Sequence, residues 1–451
     1  MLLLACVQKA KASVKVARLL DVSPVRLRSG SSVAVRCKAF ANCGICCVDS
    51  GFNEAAEWFG GLVLYDGSIR MREESVLNML RITGGQVFTG EAFEEKTLFV
   101  RDGRIVEDLA DGADVEDIDA RGCYVIPGLV DVHSHGAVGY DFCDGTHEAI
   151  DAICRYQASR GVTAYCPATM TYPEEKLAGI ARCAAEHEDA DDAAALVGIN
   201  MEGPFISPNK VGAQNPAYVQ CPDAGMFHRL QEAAGGLFKI VDIAPEEPGA
   251  LDFVKDARNE VRISIAHTTA TYDQAHAAFE AGASHVTHLF NAMPPLAHRE
   301  PGVIGAAADA KATPEIIADG VHIHPSAVRA AFKLFDDDHM IFVSDSMMAT
   351  GLDDGEYSLG GQAVTVRGNR ATLHDGTLAG SATDLMSCFK IAVRDMEIPL
   401  VSAVKAASVN PARAIGIGET RGNLNIGSVA DVVVLDENLD LRTVVVRGRV
   451  L

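Results

Sequence analysis

The sequence predicts an α/β chain, a (β/α)8 TIM-type barrel with a small β-sandwich module built from both chain ends. Three observations predict it. Eight short apolar runs alternate with helix-like stretches through the middle of the chain. β-Branched segments with glycine turns flank this region on both sides. Histidines and acids stand at the C-terminal ends of the central runs, where a parallel barrel carries its chemistry.

The eight runs are Leu129–Val132, Val162–Cys166, Leu196–Met201, Lys239–Ala244, Arg262–Ala266, Ser284–Thr287, Glu315–Ala318 and Met340–Ser344. Strands buried on both faces read as continuous apolar stretches rather than as an alternation. Before them, Arg81–Phe88, Thr97–Val100, Arg104–Val106 and Cys123–Ile126 read as short strands; after them come Val429–Leu435 and Leu441–Val446. The expected division is therefore 79–127 with 424–451 as the β module and 128–423 as the barrel. Residues 1–78 stand apart. Their first 50 positions hold eight Lys or Arg and two acids, against a net charge of −22 for the whole chain. Their hydrophobic spacing has no sustained period. They are expected to be an extension outside the working enzyme, with Val76 or Met79 as a sensible start. Cys43-Gly-Ile-Cys46-Cys47 within them lacks a second ligand pair for a metal knuckle.

The negative charge argues against non-specific nucleic-acid binding, which needs a basic face. No stretch of about 18 uncharged apolar residues offers a membrane span. The cysteines after residue 75 show no paired spacing, as expected of reduced thiols in a cytoplasmic protein. An anionic small substrate remains compatible, because local cations outweigh a distant field.

The first central run ends in His133-Ser134-His135, the third runs into Glu202, the fifth ends at His267 and the sixth at His288. Side chains alternate along a strand, so His-x-His presents both imidazoles on one face. Four imidazoles and a carboxylate at one barrel mouth form an N/O donor set for a divalent ion, Zn²⁺ first, with Fe, Mn or Co as alternatives. Asp345 ends the eighth run. It could join the ligands and also take a proton from an activated water and pass it on. The competing reading is a helix N-cap in Ser344-Asp345-Ser346.

These motifs resemble the amidohydrolase superfamily, and within it the amino-sugar 6-phosphate deacetylases. Pro127–Gly136 is general to the superfamily. More specific are Met201-Glu202-Gly203-Pro204-Phe205, Lys210–Pro216, Thr287–Met293, His298–Gly302, Ala318–His322, Gly376–Ser381 and Ser408–Ala412. The resemblance covers about residues 81 to 451. It implies hydrolysis of N-acetyl-D-glucosamine 6-phosphate to D-glucosamine 6-phosphate and acetate, with one or two ions per subunit. It implies Glu202, His267 and His288 as ligands of the main ion, with His133, His135 and Asp345 available for a second. Asp345 would be general base and then general acid, and His322 would face the acetyl carbonyl. Asn291, Ala292 and Arg299 would bind the sugar phosphate, Arg299 reaching across a homodimer interface. Ala213, Leu378, Ala379 and Gly380 would line the sugar and N-acetyl pocket. Arg suits phosphate independently, being a planar bidentate donor; its competing reading is a surface pair with Glu300. His322 could instead be a solvated loop histidine, a fate better suited to His324. The remaining alternatives are an N-acetylgalactosamine 6-phosphate deacetylase, a cyclic-amide hydrolase, or a non-catalytic sugar-phosphate sensor.

Overall fold

The computed structural model describes residues 79–109 and 114–451 and, before them, the backbone of four short strands. Val33–Val35 pairs with Cys46–Val48, and Leu62–Tyr65 with Ser68–Met71, both antiparallel. The rest of the extension expected over 1–78, including the cysteine cluster's side chains, lies outside the described residues. Residues Leu77–Leu451 form one compact unit.

Within that unit the central runs become parallel strands β1 (Leu129–Asp131), β2 (Val162–Tyr165), β3 (Ile199–Met201), β4 (Phe238–Ile243), β5 (Arg262–Ile265), β6 (His285–Val286), β7 (Thr313–Ile317) and β8 (Ile341–Val343). Strands β3 to β8 pair in sequence order as one curled sheet, and β1 pairs with β2. The run expected at Leu196–Met201 is interrupted. Its first part, Ala195–Leu196, pairs with β2; Val197 N still donates to Tyr165 O, whereas Ile199 N donates to Leu237 O beside β4. A bridge between Ala168 and Asn200 links the two sheets, and Asp345 N past β8 donates to His133 O past β1 at 2.9 Å.

A helix follows each strand. His147–Ser159 starts where the Thr146 side chain accepts from Ala149 N. Tyr272–Ala281 starts in a Thr271/Gln274 capping box and stops at Gly282, whose φ of 129° halts the helix. Apolar faces of these helices bury against strands that are themselves almost wholly buried, which is why the strands lack polar alternation. After the last of them, Asn410 of the Ser408–Ala412 motif donates to Asp337 O and Met340 O, both at 2.8 Å, tying that helix to the start of β8.

The flanking strands form a four-stranded sheet and a six-stranded sheet around an apolar cluster that includes Leu80, Ile82, Val100, Val125, Val432 and Val445. Tyr124–Pro127 pairs antiparallel with Val432–Leu435, so residues far apart in sequence share a ladder. The single strand expected over Arg81–Phe88 is two strands in different sheets. Gly84 turns at φ 74°, and a Cβ on Gly85 would sit 2.7 Å from Val125 Cγ2. Glu116–Asp119 forms an additional edge strand, anchored by Arg81 to Asp117 at 2.6 Å. After β8, Gly355–Leu359, Gln362–Arg367 and Arg370–Thr372 build an antiparallel sheet that the hydrophobic pattern did not announce. The seven described cysteines are free, and no described helix is long and apolar enough to cross a membrane.

Gly128 opens β1 against β2 so closely that a Cβ would lie 2.1 Å from Thr163 Oγ1. Gly128→Ala should cost about 1–3 kcal/mol of stability through overpacking, read by chemical denaturation, and Thr163→Ala in the same chain should recover part of it. An unaltered stability in the single variant would contradict this packing.

Candidate active site

The chain turns sharply at several strand ends. His267, His288 and Asp345 take left-handed φ values of 42°, 30° and 47°. Such values are costly for residues with a Cβ and accumulate where function over-determines the backbone. Glu202 follows β3 directly, and Gly203 behind it turns at φ 78° where a Cβ would strike Thr171 Oγ1 at 2.1 Å. His133 and His135 lie just past the end of β1 rather than on it. The alternation persists there. Their rings meet edge-on with centroids 5.5 Å apart, while Ser134 between them contacts Ser346 Oγ at 2.8 Å.

Two buried groups result: Glu202 with His267 and His288, and His133 with His135 and Asp345. In the first, Glu202 Oε1 lies 2.9 Å from His267 Nε2 and 3.2 Å from His288 Nε2, and the two Nε2 atoms are 3.1 Å apart. In the second, His135 Nε2 is 3.2 Å from Asp345 Oδ1, and His133 Nε2 is 3.7 Å from it. Glu202 Oε2 joins the groups, 3.2 Å from His135 Nε2 and 3.6 Å from His133 Nε2. Burial raises the Glu202 pKa, but the surrounding imidazoles outweigh it and hold the carboxyl well below its usual range.

The donor set fits a cation. His267 Nδ1–H is committed to Lys210 O at 2.8 Å, so the neutral ring presents its lone pair at Nε2. There it faces a carboxylate oxygen and a second imidazole nitrogen, acceptors that need a proton or a metal ion between them. Four ligands about 2.0–2.1 Å from a tetrahedral ion stand about 3.3 Å apart, close to the spacing found. His133 Nε2 and Glu202 Oε2 are buried with no hydrogen-bond partner, as ligand atoms would be. Gly212 closes over His267, with room for no Cβ beyond a tight 3.2 Å contact to its Cε1.

A cavity of about 520 Å³ opens over both groups. His322, Asn291, Ala292, Ala213, Leu378 and Gly380 line it, together with Lys210, Asp375 and Thr377. His322 is oriented by Asp319, whose Oδ2 lies 2.8 Å from its Nδ1 and whose Oδ1 accepts from the Val321 and His322 amides. Burial opposes an imidazolium, yet the Asp319 hydrogen bond and charge outweigh it and raise the His322 pKa. Asp319, at the end of the seventh run, therefore serves the site as a partner of His322. His324 is exposed, its Nδ1 accepting from Ser326 N. Asp345 caps no helix.

Two expected contacts differ. Ala379 is fully buried and packs in the core between Leu378 and Gly380, because its amide is tied back to Ala371 O; it does not line the cavity. Arg299 is exposed outside its own chain's cavity and bonds His298 Nε2 at 2.7 Å, not Glu300. Glu315, to which the sequence motifs assign no role, is fully buried on β7, with Oε2 2.9 Å from His133 Nδ1 and Oε1 3.0 Å from His285 Nε2. A carboxylate inside the apolar run Pro314-Glu315-Ile316-Ile317 was its available signal. Two further buried carboxyls lie beneath the site. Burial pushes Asp131 up to about 7 despite its Ser344 hydrogen bond, and it raises Asp242 likewise.

A curled parallel sheet whose strand ends converge paired imidazoles and carboxylates on one cavity is the architecture of a metal-dependent hydrolase. The amidohydrolase family profile matches residues 124–451, and the chain belongs to that family. It is 37% identical over 332 residues to an N-acetylglucosamine-6-phosphate deacetylase of Bacillus subtilis, covering 72% of this chain and 84% of that one. An N-acetylgalactosamine-6-phosphate deacetylase of Escherichia coli is 32% identical over 326 residues, 72% of this chain and 86% of the relative. The solved structure of a point mutant of the Mycobacterium smegmatis N-acetyl-D-glucosamine-6-phosphate deacetylase in complex with N-acetyl-D-glucosamine 6-phosphate superposes with a TM-score of 0.77 at 34% identity, over 83% of this chain and 99% of that one.

Asp319→Asn removes the charge that favours protonated His322, so the His322 pKa should fall. The stabilisation from that pair is present below the ordinary histidine pKa and lost as pH rises through the raised one. The variant should lose that low-pH contribution. A titration of labelled histidine by NMR reads the shift; an unmoved His322 would contradict the assignment.

Proposed function

We propose that the chain hydrolyses the acetamide of N-acetyl-D-glucosamine 6-phosphate, releasing D-glucosamine 6-phosphate and acetate. The observation that carries this is the convergence of Asp345, His322 and both ligand groups on one cavity. The names of the relatives supply the substrate class. Glu202, His267 and His288 would hold one divalent ion, and His133, His135 and Asp345 a second, with zinc favoured by the nitrogen and oxygen donors. Such an ion lowers the pKa of a water and polarises a carbonyl. Asp345 accepts the proton of the attacking water and delivers it to the departing amine nitrogen. His322, its Nδ1 engaged by Asp319, turns Nε2 to the acetyl oxygen and stabilises the developing negative charge. Asn291, Ala292, Ala213, Leu378 and Gly380 surround the sugar.

Arg299 would serve the cavity of a partner subunit in a homodimer, consistent with its exposed position outside its own. We read the two parallel sheets as one closed (β/α)8 barrel over 128–423, supported by the Asp345-to-His133 hydrogen bond, and 79–127 with 424–451 as a β-sandwich. Free cysteines fit a cytoplasmic setting. The galacto epimer is the second reading, favoured by the Escherichia coli relative.

The direct test is acetate release from both sugar phosphates. The gluco form should have the higher kcat/KM; a galacto preference would overturn the substrate assignment. Asp345→Asn should lower kcat about 10²–10⁴-fold with KM little changed, and unchanged turnover would remove Asp345 from the chemistry. Arg299→Ala should raise KM on the order of ten- to a hundredfold through loss of a charge-assisted phosphate contact, with kcat near normal; an unaffected KM would remove Arg299 from the phosphate site.

A further inference from the structure

We propose that Glu315 is a positioning residue that selects the His133 tautomer able to bind a metal ion, and so decides whether the His133–His135–Asp345 group fills. The proposal rests on the reading of these residues as a metal centre, and not on which acetamide is cleaved. An imidazole offers Nε2 as a ligand only when its proton sits on Nδ1. Two groups compete for His133 Nδ1. Glu315 Oε2 lies 2.9 Å away and can only accept from it. Asn200 Nδ2 lies 3.5 Å away and can only donate to it, which would put the proton on Nε2 and close that atom to a metal. In this structure Asn200 Nδ2 instead donates to Val132 O at 3.2 Å. The shorter Glu315 contact holds the ring proton on Nδ1, and Nε2 lies 3.7 Å from Asp345 Oδ1 and 3.6 Å from Glu202 Oε2.

Glu315 does more than meet one ring. The same Oε2 accepts from His288 N at 3.2 Å, and Glu315 O accepts from Leu289 N at 2.8 Å. His285 Nε2 sits 3.0 Å from Oε1 and pins the other end of the carboxylate. One buried side chain thereby ties a ligand of one group to the backbone of a ligand in the other. Carboxylates that receive the far N–H of a metal-binding histidine are known to fix ring orientation, and their loss typically weakens binding 10–100-fold.

The test is cobalt stoichiometry and affinity of the full chain at buffered free Co²⁺, with folding checked by circular dichroism. Glu315→Met keeps the bulk and removes the acceptor. It should retain the Glu202–His267–His288 ion and lose the other, the count falling from two per chain to one. Glu315→Gln should keep two ions, because an amide oxygen still accepts from His133 while neutral His285 can change tautomer to accept from the amide nitrogen. That rescue separates an acceptor role from a mere need for charge or volume. An unaltered chain that binds one ion, a methionine variant that still binds two at unchanged affinity, or a glutamine variant that binds one would overturn the proposal. Should the methionine variant fail to fold, the zinc-loaded unaltered chain labelled with ¹⁵N-histidine decides: His133 should carry its proton on Nδ1, and a proton on Nε2 would overturn the proposal. Neither readout uses a sugar phosphate, so failure here leaves the substrate assignment standing, and failure of that assignment leaves this one testable.

Discussion

The buried Glu202 carboxylate is the constraint on which the site is built. One oxygen meets His267 and His288, the other faces His133 and His135, so a single side chain after β3 gathers groups from the ends of β1, β5 and β6. A buried carboxylate is tolerated only when charge and hydrogen bonds compensate its lost water. Four imidazoles around one anion provide that compensation, and they do so only if the strands deliver them to one point.

That demand explains local features that would otherwise look like defects. His267, His288 and Asp345 hold left-handed backbone conformations because the chain must turn at once after the strand while each side chain aims inward. Gly203 and Gly212 stand where a Cβ would meet Thr171 or His267. Beneath the ligands lies a polar layer inside the sheet. Asp131 accepts from Ser344, Asp242 from Thr287, and Glu315 from His133 and His285. Each bond fixes a strand end or a ring without itself touching the cavity. The fold thus contributes rigidity under the histidines and Glu202, and the surrounding loops contribute the walls.

Much of this was legible in the chain itself. The eight parallel strands announced themselves because both faces are buried, and the histidines and acids at their ends could be read by position alone. What escaped reading has physical reasons. The Gly84–Gly85 break looks like a turn within one strand until packing against Val125 splits it between two sheets. Glu116–Asp119 is an edge strand too acidic to signal burial, and the sheet after β8 is short and half exposed. Glu315 resembled the start of an apolar run, and its partners lie on or just past other strands, up to 182 residues away. Ala379 sits in a loop whose neighbours face the cavity, and only the hydrogen bond of its amide shows that it does not.

Whether hydrolysis depends on ions held by these side chains is read by stripping the chain with a chelator, dialysing, and returning Zn²⁺ in measured steps while following acetate release from N-acetyl-D-glucosamine 6-phosphate. The stripped chain should be inactive, and release should return in proportion to bound ions and stop rising once both ligand groups are filled. Full acetate release from a chain shown to hold no divalent ion would contradict that dependence.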